Sequence, residues 1–203
     1  MHTLFLREEF SLQADSIILE PLSLQHETGL QRACEDGELW NIRMTSVPHR
    51  TEVKKYIETA LQQKQQQLRV PFAVLGTSDG AVLGTTSFHD ILMPVRRLEI
   101  GYTWYAKTVQ RTHVNTTCKL LLMQYAFEQL NAEKVGLRTD IFNLKSQKAI
   151  ERLGAKKDGV LRGHALRKDG TIRDTVMYSI VKGEWSNVQA HLKELLNQSK
   201  SEI

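Results

Sequence analysis

The stretch of residues 98–154 constrains the fold of this chain more than any other part. Residues 98–105 alternate as a strand, and residues 110–115 form a polar run. A helix with a wide apolar stripe follows, and then a second strand over residues 135–141. A stripe that wide predicts a helix packed against a sheet. The order also places the first amides of a helix beside the end of a strand, where a pyrophosphate can bind to free backbone N–H groups.

The rest of the chain predicts a mostly antiparallel sheet flanked by helices. Asp79-Gly80 between two apolar runs is a strong hairpin signal, and Lys168-Asp169-Gly170 marks a second hairpin. Without a visible repeat or linker, the 203 residues are expected to form one domain, with a core over about residues 15–182. The predicted strands are 16–19, 72–75, 82–88, 98–105, 135–141, 160–166 and 171–181, and the predicted helices are 24–34, 51–67, 112–130, 146–153 and 184–196.

Composition argues against several other classes of protein. No apolar run approaches the roughly 20 residues that a membrane span needs, and the first nine residues carry acids where an export signal carries bases. Cys34 and Cys118 match no metal-ligand spacing, which favours free thiols in a reduced cytoplasm. The net charge is +4. Because the basic residues alternate with acids along the chain, we expect no direct binding of nucleic acid.

Two motifs around the long helix resemble those of the GNAT N-acetyltransferase superfamily. Residues 98–104 resemble the Glu-Ile-Gly-Tyr strand of that family, and a glycine within a strand, here Gly101, usually marks a bulge or a close approach to the backbone. Gln110 matches the first position of the family's Gln/Arg-x-x-Gly-x-Gly/Ala loop. His113 and Asn115 occupy the two glycine positions, where a residue with a helical φ still offers its N–H.

A third motif follows the second strand. The family pattern Asn-x-x-Ala/Ser-x-x-x-Tyr-x-x-x-Gly-Phe is matched at Asn143, Ser146 and Gly154, whereas Ile150 and Ala155 replace the tyrosine and the phenylalanine. A serine at the second position is typical of the ribosomal-protein serine/alanine acetyltransferases, which this chain resembles. The alternative for Asn143 and Ser146 is a plain structural role as the N-cap of the short helix.

The resemblance implies an α+β fold with α/β/α layers, a mixed and mostly antiparallel central sheet with a splayed strand pair, and an extra C-terminal helix. It also implies acetyl-CoA as cosubstrate and no metal. The acceptor amine would contact Trp40, Arg43, Met44 and Glu99, although packing under a loop is an equally simple role for Trp40 and Met44. The implied cofactor-binding residues are Tyr102, Thr103, Trp104, Gln110, Arg111, Thr112, His113, Val114, Asn115, Thr116, Asn143 and Ser146.

The resemblance places Glu99 in the acceptor cleft, where it is the best candidate for the catalytic base. Strand alternation predicts that Glu99 shares a face with Gly101 and Thr103. The alternative is a surface ion pair with Arg96 or Arg97. An α-amine, with a pKa near 7.8, needs roughly 4 kcal/mol less help with proton removal than a lysine amine. A single carboxylate acting through water therefore suffices for an N-terminal acceptor.

The expected activity is acetyl transfer from acetyl-CoA to a primary amine, by direct attack in a ternary complex. Ser146 is expected to hydrogen-bond the departing thiolate, and Asn143 to hold pantetheine or a water. The favoured acceptor is a protein N-terminus, for example that of a ribosomal protein, and the enzyme is expected to be a cytoplasmic monomer or homodimer without membrane contact. Two alternatives stay open: a small-molecule acceptor such as a polyamine, amino acid or antibiotic, or a CoA-binding module without turnover.

Overall fold

The computed structural model describes residue 6 and residues 8–201. Its strands are β1 (Leu12–Ala14), β2 (Ile17–Pro21), β3 (Arg69–Gly76), β4 (Val82–Leu92), β5 (Arg97–Tyr105), β6 (Lys134–Asp140), β7 (Lys156–Leu166) and β8 (Ile172–Val181). Its helices are α1 (Glu27–Glu35), α2 (Val53–Gln65), α3 (His113–Gln124), α4 (Leu144–Arg152) and α5 (Trp185–Ser201).

The strands form one sheet in the order β1-β2-β3-β4-β5-β6-β8-β7. Neighbouring strands are antiparallel except for β5 and β6, which run parallel. Parallel neighbours require a crossover connection, and α3 supplies it. The N-terminus of α3 therefore lies at the edge of the sheet where β5 ends.

Each face of the sheet is covered by its own apolar cluster. One cluster lies under α3 and α5 and contains the inward-facing side chains of β6, such as Val135 and Leu137. The other lies under α1 and α2 and contains Trp104. The two buried cysteines are free thiols and belong to different clusters, Cys118 to the first and Cys34 to the second. We refer to the two sides of the sheet as the α3/α5 face and the α1/α2 face.

The predicted layers, the mostly antiparallel sheet and the C-terminal helix are confirmed. The sequence did not predict β1, whose three residues are too short to show alternation. The helix predicted over 112–130 is correct in place, but it ends as a π-helical turn over Tyr125–Gln129. None of the described helices is long and apolar enough to cross a membrane.

Candidate active site

The parallel strands β5 and β6 separate soon after they begin. In the described chain they pair at three positions only, Arg97 with Lys134, Leu98 with Val135 and Glu99 with Gly136. β6 continues to pair with β8 as far as Asp140. Beyond Glu99, the edge of β5 that faces β6 therefore has no strand partner, and a slot opens between two neighbouring strands of the sheet.

A β-bulge lies in β5 at this slot. Gly101 pairs with Ser87 and Trp104 pairs with Thr85, so two residues, Tyr102 and Thr103, lie opposite one residue of β4. Tyr102 has a φ of 50°, in the left-handed region that non-glycine residues seldom adopt. An extra residue in one strand reverses the alternation of the side chains that follow it.

The bulge overturns the predicted face of Thr103. Glu99 and Gly101 lie on the α1/α2 face, but Thr103 lies on the α3/α5 face, where its hydroxyl accepts a hydrogen bond from a side chain of α3. The ring of Tyr102 stays on the face of Glu99, in edge contact with His89 at 5.0 Å between ring centroids. The bulge therefore places a tyrosine ring beside the slot on the α1/α2 face.

Gly101 is needed because the ring of His89 lies against its backbone. A Cβ at this position would lie 2.2 Å from His89 Nε2. Burial lowers the pKa of His89 to about 3, and the charge of Arg138 acts in the same direction, so this imidazole is neutral at physiological pH. A glycine within a strand predicts that another group lies close to its backbone. At Gly101 that group is the neutral imidazole of His89.

Glu99 is fully buried on the α1/α2 face, between two arginines. Its carboxylate is paired with Arg97, and Arg138 Nε lies 2.8 Å from Oε2. Burial raises the pKa of Glu99, while the charge of Arg138 opposes the rise. The alternative of an ion pair with Arg96 or Arg97 is therefore confirmed for Arg97, but the pair is buried and not at the surface. Arg96 pairs with Glu133 instead.

The start of α3 is a capped helix N-terminus beside the end of β5. Thr112 is the N-cap, and its hydroxyl accepts the N–H of Val114 at 3.3 Å. Arg111 precedes it with a φ of 66°, and the ring of His113 is hydrogen-bonded to Ser16 Oγ at 2.8 Å. The other first-turn amides have no acceptor within the helix, as at any helix start. His113 is therefore already engaged by a neighbouring turn.

Gln110 connects the end of β5 to α4. Its side-chain amide donates to the carbonyl of Tyr105 at 2.8 Å and accepts from Lys145 Nζ at 2.7 Å. Asn143 is the N-cap of α4, and its Oδ1 accepts the N–H of Ser146 at 3.1 Å, so the capping role is confirmed for Asn143. Ser146 is half-buried, and its hydroxyl makes no hydrogen bond to another described residue.

The predicted acceptor residues Trp40, Arg43 and Met44 lie in the segment between α1 and α2. Arg43 reaches the β7–β8 hairpin, where its Nε lies 2.5 Å from Asp169 Oδ2 and its Nη2 lies 2.8 Å from Thr171 Oγ1. Lys168 of the hairpin donates to the carbonyl of Trp40. Met44 is half-buried. The loop before α2 and the tip of the hairpin are therefore joined, and we call this contact the loop–hairpin bridge.

Two buried cations near the slot were not predicted from the sequence. Lys119 of α3 is 5% exposed and donates to Thr103 Oγ1 at 2.9 Å. Burial lowers its pKa to about 8. Arg69 of β3 is 2% exposed, and its guanidinium lies 3.9 Å from the centroid of the Tyr102 ring. A lysine on the buried stripe of a helix and an arginine within an apolar strand are the sequence signals that could have found them.

Comparison with known proteins identifies the fold. The domain described as "Acetyltransferase (GNAT) domain" matches residues 16–156. The chain belongs to the GNAT acetyltransferase family. It is 36% identical over 107 residues to YdaF of Bacillus subtilis, which is provisionally named a ribosomal N-acetyltransferase. This match covers 53% of the chain and 57% of YdaF. The chain thus spans a little over half the length of that relative.

Solved structures of GNAT proteins agree with this assignment. A protein from T. thermophilus, provisionally named an acetyltransferase, is 34% identical with a TM-score of 0.81, over 92% of this chain and 96% of that one. RimL, titled a ribosomal L7/L12 alpha-N-protein acetyltransferase in complex with coenzyme A, is 15% identical with a TM-score of 0.71, over 85% and 98%. RimL shares the fold alone at this identity.

GNAT acetyltransferases take their acetyl group from acetyl-CoA and transfer it to an amine. The parted strands fit a pantetheine chain, because they leave a row of backbone N–H and C=O groups on β5 without a strand partner beside a helix N-terminus. No group of three metal-ligating side chains occurs within the described residues.

Proposed function

We propose that this N-acetyltransferase acetylates the α-amine of a protein N-terminus, of the ribosomal-protein type, by direct attack in a ternary complex. The observation that carries the proposal is the Glu99 carboxylate, which lies on the α1/α2 face where β5 and β6 part. An α-amine, with a pKa near 7.8, is partly neutral at physiological pH, so one carboxylate suffices to remove its proton. The name given to YdaF supports the same acceptor class.

Glu99 would act as the proton acceptor. Arg97 and Arg138 fix the position of its carboxylate, so the group loses no rotamer freedom when the amine binds. Burial moves its pKa upward, towards the working pH, which makes a carboxylate a better general base. Because the side chain is fully buried, we propose that the proton reaches it through a water in the slot.

The other half of the reaction is departure of the thiolate, since acetyl-CoA supplies the acetyl group as a thioester. A thiol with a pKa near 8.5 leaves without a strong acid, and a hydrogen bond from the free hydroxyl of Ser146 would be enough. Ile150, at the tyrosine position of the family motif, is buried and apolar. Asn143 uses its oxygen to cap α4, so its amide nitrogen would bind pantetheine or a water.

The test is thiol release from acetyl-CoA with a panel of N-terminal peptides and small amines. Glu99→Gln should lower kcat by about 10²-fold or more with peptides, and activity should recover as the pH rises above the pKa of the amine. Affinity for coenzyme A, measured by calorimetry, should stay the same. Ser146→Ala should lower kcat by less. Full activity of Glu99→Gln, or turnover of small amines with none of peptides, would contradict the proposal.

A second candidate is a small-molecule acceptor. The loop–hairpin bridge favours it, because Arg43 and Lys168 tie together two segments that an extended peptide would have to pass. If this candidate is correct, the same panel should give small amines a kcat/KM above that of every peptide.

A further inference from the structure

We propose that the acceptor carries an anionic group near its amine, and that Arg173 binds this group. The inference rests on the proposed function and specifies its substrate class: an N-terminal amine followed, within the first four residues, by an acidic side chain. The inference comes from the charged side chains on the α1/α2 face, where positive charges outnumber negative ones.

The carboxylates of this face already have partners. Glu99 is paired with Arg97 and Arg138, and Asp90 lies 3.0 Å from Arg97 and 3.4 Å from Arg138. These two carboxylates and two guanidiniums balance. Further along the face, Asp140 is held by both Nε and Nη2 of Arg167, at 2.6 and 3.1 Å. On the hairpin, Asp169 is paired with Arg43.

Three cations remain, and among the described residues none of them forms an ion pair with a carboxylate. Lys168 donates to the carbonyl of Trp40. Arg69 and Arg173 use neutral oxygens as well. Their hydrogen-bond acceptors are Ser87, Gln63 and Tyr56 for Arg69 and Thr175 for Arg173. Asp174 of the hairpin, which accepts the N–H of Gly163 at 2.8 Å, offsets one of these three charges. The α1/α2 face and the hairpin together therefore still hold a surplus of positive charge.

Of the three cations, Arg173 lies on the α1/α2 face itself, whereas Lys168 lies at the tip of the hairpin, where it donates to the carbonyl of Trp40. On β8, Val176, Tyr178 and Ile180 belong to the cluster under α3 and α5, so Arg173 and Thr175 point to the α1/α2 face. Arg173 is half-buried, and Nε donates to Thr175 Oγ1 at 3.1 Å. Its two terminal nitrogens make no hydrogen bond within the described chain.

A guanidinium fixed through Nε presents its two terminal nitrogens as a fork, which matches a carboxylate in bidentate geometry. Arg69, by contrast, lies behind the ring of Tyr102 and adds charge but no contact. Arg173 lies close enough to Asp140 and to Arg138 for the charges to interact, but both oxygens of Asp140 are held by Arg167. Arg138 in turn touches Glu99. An extended peptide advances about 3.3 Å per residue, so a peptide whose amine lies at Glu99 and whose chain follows β6 towards Asp140 carries its next side chains in the direction of Arg173.

The same surplus disfavours a cationic acceptor. A polyamine would bring a second positive charge into a face where the described carboxylates are already matched by arginines, and like charges repel. The charge of this face therefore favours an acidic peptide over a polyamine, although the fold alone permits both acceptors.

The experiment compares peptides that begin with serine and carry three aspartates, three asparagines or three lysines at positions 2–4. We expect kcat/KM to be about tenfold higher for aspartate than for asparagine, with lysine lowest. Arg173→Gln should reduce the aspartate preference to within twofold, and Arg173→Lys should keep part of it. Arg162→Gln, which removes an exposed arginine of the neighbouring strand, is the control and should leave the preference unchanged.

Equal rates for aspartate and asparagine peptides, or a preference for lysine, would overturn this inference and leave the proposed function standing. If peptides are not substrates but small amines are, the proposed function fails. The inference is then tested by comparing kcat/KM for glutamate with kcat/KM for glutamine as acceptors, and equal values would overturn it. Binding of the aspartate peptide in the presence of coenzyme A gives a readout without turnover. Affinity that does not depend on Arg173 would also overturn the inference.

Discussion

Lys119 offers a quantitative test of the structure, because its ammonium is buried beside the slot. Its nitrogen donates to Thr103, and no ion pair to a carboxylate is present among the described residues. Burial lowers its pKa from 10.5 to about 8. Each factor of ten between the two acid constants corresponds to 1.36 kcal/mol, so the folded protein bears a cost of about 3 kcal/mol for carrying this charge.

The sign of the pH dependence follows from the two pKa values. Below about pH 8, the folded and the unfolded chain both hold the proton on Lys119, and the full cost is present. Between about pH 8 and 10.5 the unfolded chain binds more protons than the folded one. The contribution of Lys119 to the free energy of unfolding therefore rises with pH. Lys119→Met removes the group. Its stability relative to the wild type should therefore be highest at pH 7 and fall by about 3 kcal/mol towards pH 10.5.

The assay is urea denaturation of both proteins between pH 7 and pH 10, with the midpoint and the slope fitted at each pH. Lys193→Met, which removes an exposed lysine of α5, is the matched control and should show a difference from wild type that does not change with pH. Burial raises the pKa of the neighbouring Cys118 thiol to about 11, so the thiol stays protonated in the folded protein over the range. Its ionisation in the unfolded chain is common to both proteins and cancels in their difference. A constant difference between Lys119→Met and wild type would refute the burial argument.

Two further changes test the geometry around the slot. Gly101→Ala should lower the free energy of unfolding by about 1–3 kcal/mol, because its methyl group would overlap the ring of His89. Gly159→Ala, where a methyl group meets open space, should change it by less than about 0.5 kcal/mol by the same denaturation assay. Arg43→Ala breaks the loop–hairpin bridge. It should alter the KM for the acceptor while the KM for acetyl-CoA and the melting temperature stay nearly constant, since exposed ion pairs contribute little stability; an unchanged acceptor KM would mean that the bridge does not border the acceptor site.

Much of the fold could be predicted from local signals. The turn at Asp79-Gly80 and the apolar stripe of α3 are patterns within single segments, and both appear where they were expected. A bulge was one of the two features that Gly101 within the strand predicted, but its place at Tyr102 and Thr103 could not be predicted, because the left-handed conformation of Tyr102 depends on pairing with β4 and on the His89 ring. One extra residue was enough to move Thr103 to the opposite face.

The partners of Glu99 show the same limit. Arg97 lies two residues away and was considered, whereas Arg138 lies on a different strand and reaches Glu99 only because β5 and β6 are parallel neighbours. Asn143 was predicted with two possible roles, and its cap on α4 is a local interaction that the motif spacing already contained. Contacts within a segment were predictable, and contacts across the slot were not.

The unfavourable features of this chain are concentrated around the slot. Tyr102 holds a strained backbone conformation, and Lys119 buries a charge without an ion-pair partner among residues 8–201. Arg69 is buried against neutral oxygens and an aromatic ring. Each of these lowers stability, and a chain selected for folding alone would replace them with apolar residues. Their concentration on both faces of one bulge is what the proposed site would require, because binding and chemistry are common reasons for such features to persist. Stabilising substitutions at these three positions should therefore reduce turnover, whereas stabilising substitutions under α5 should not.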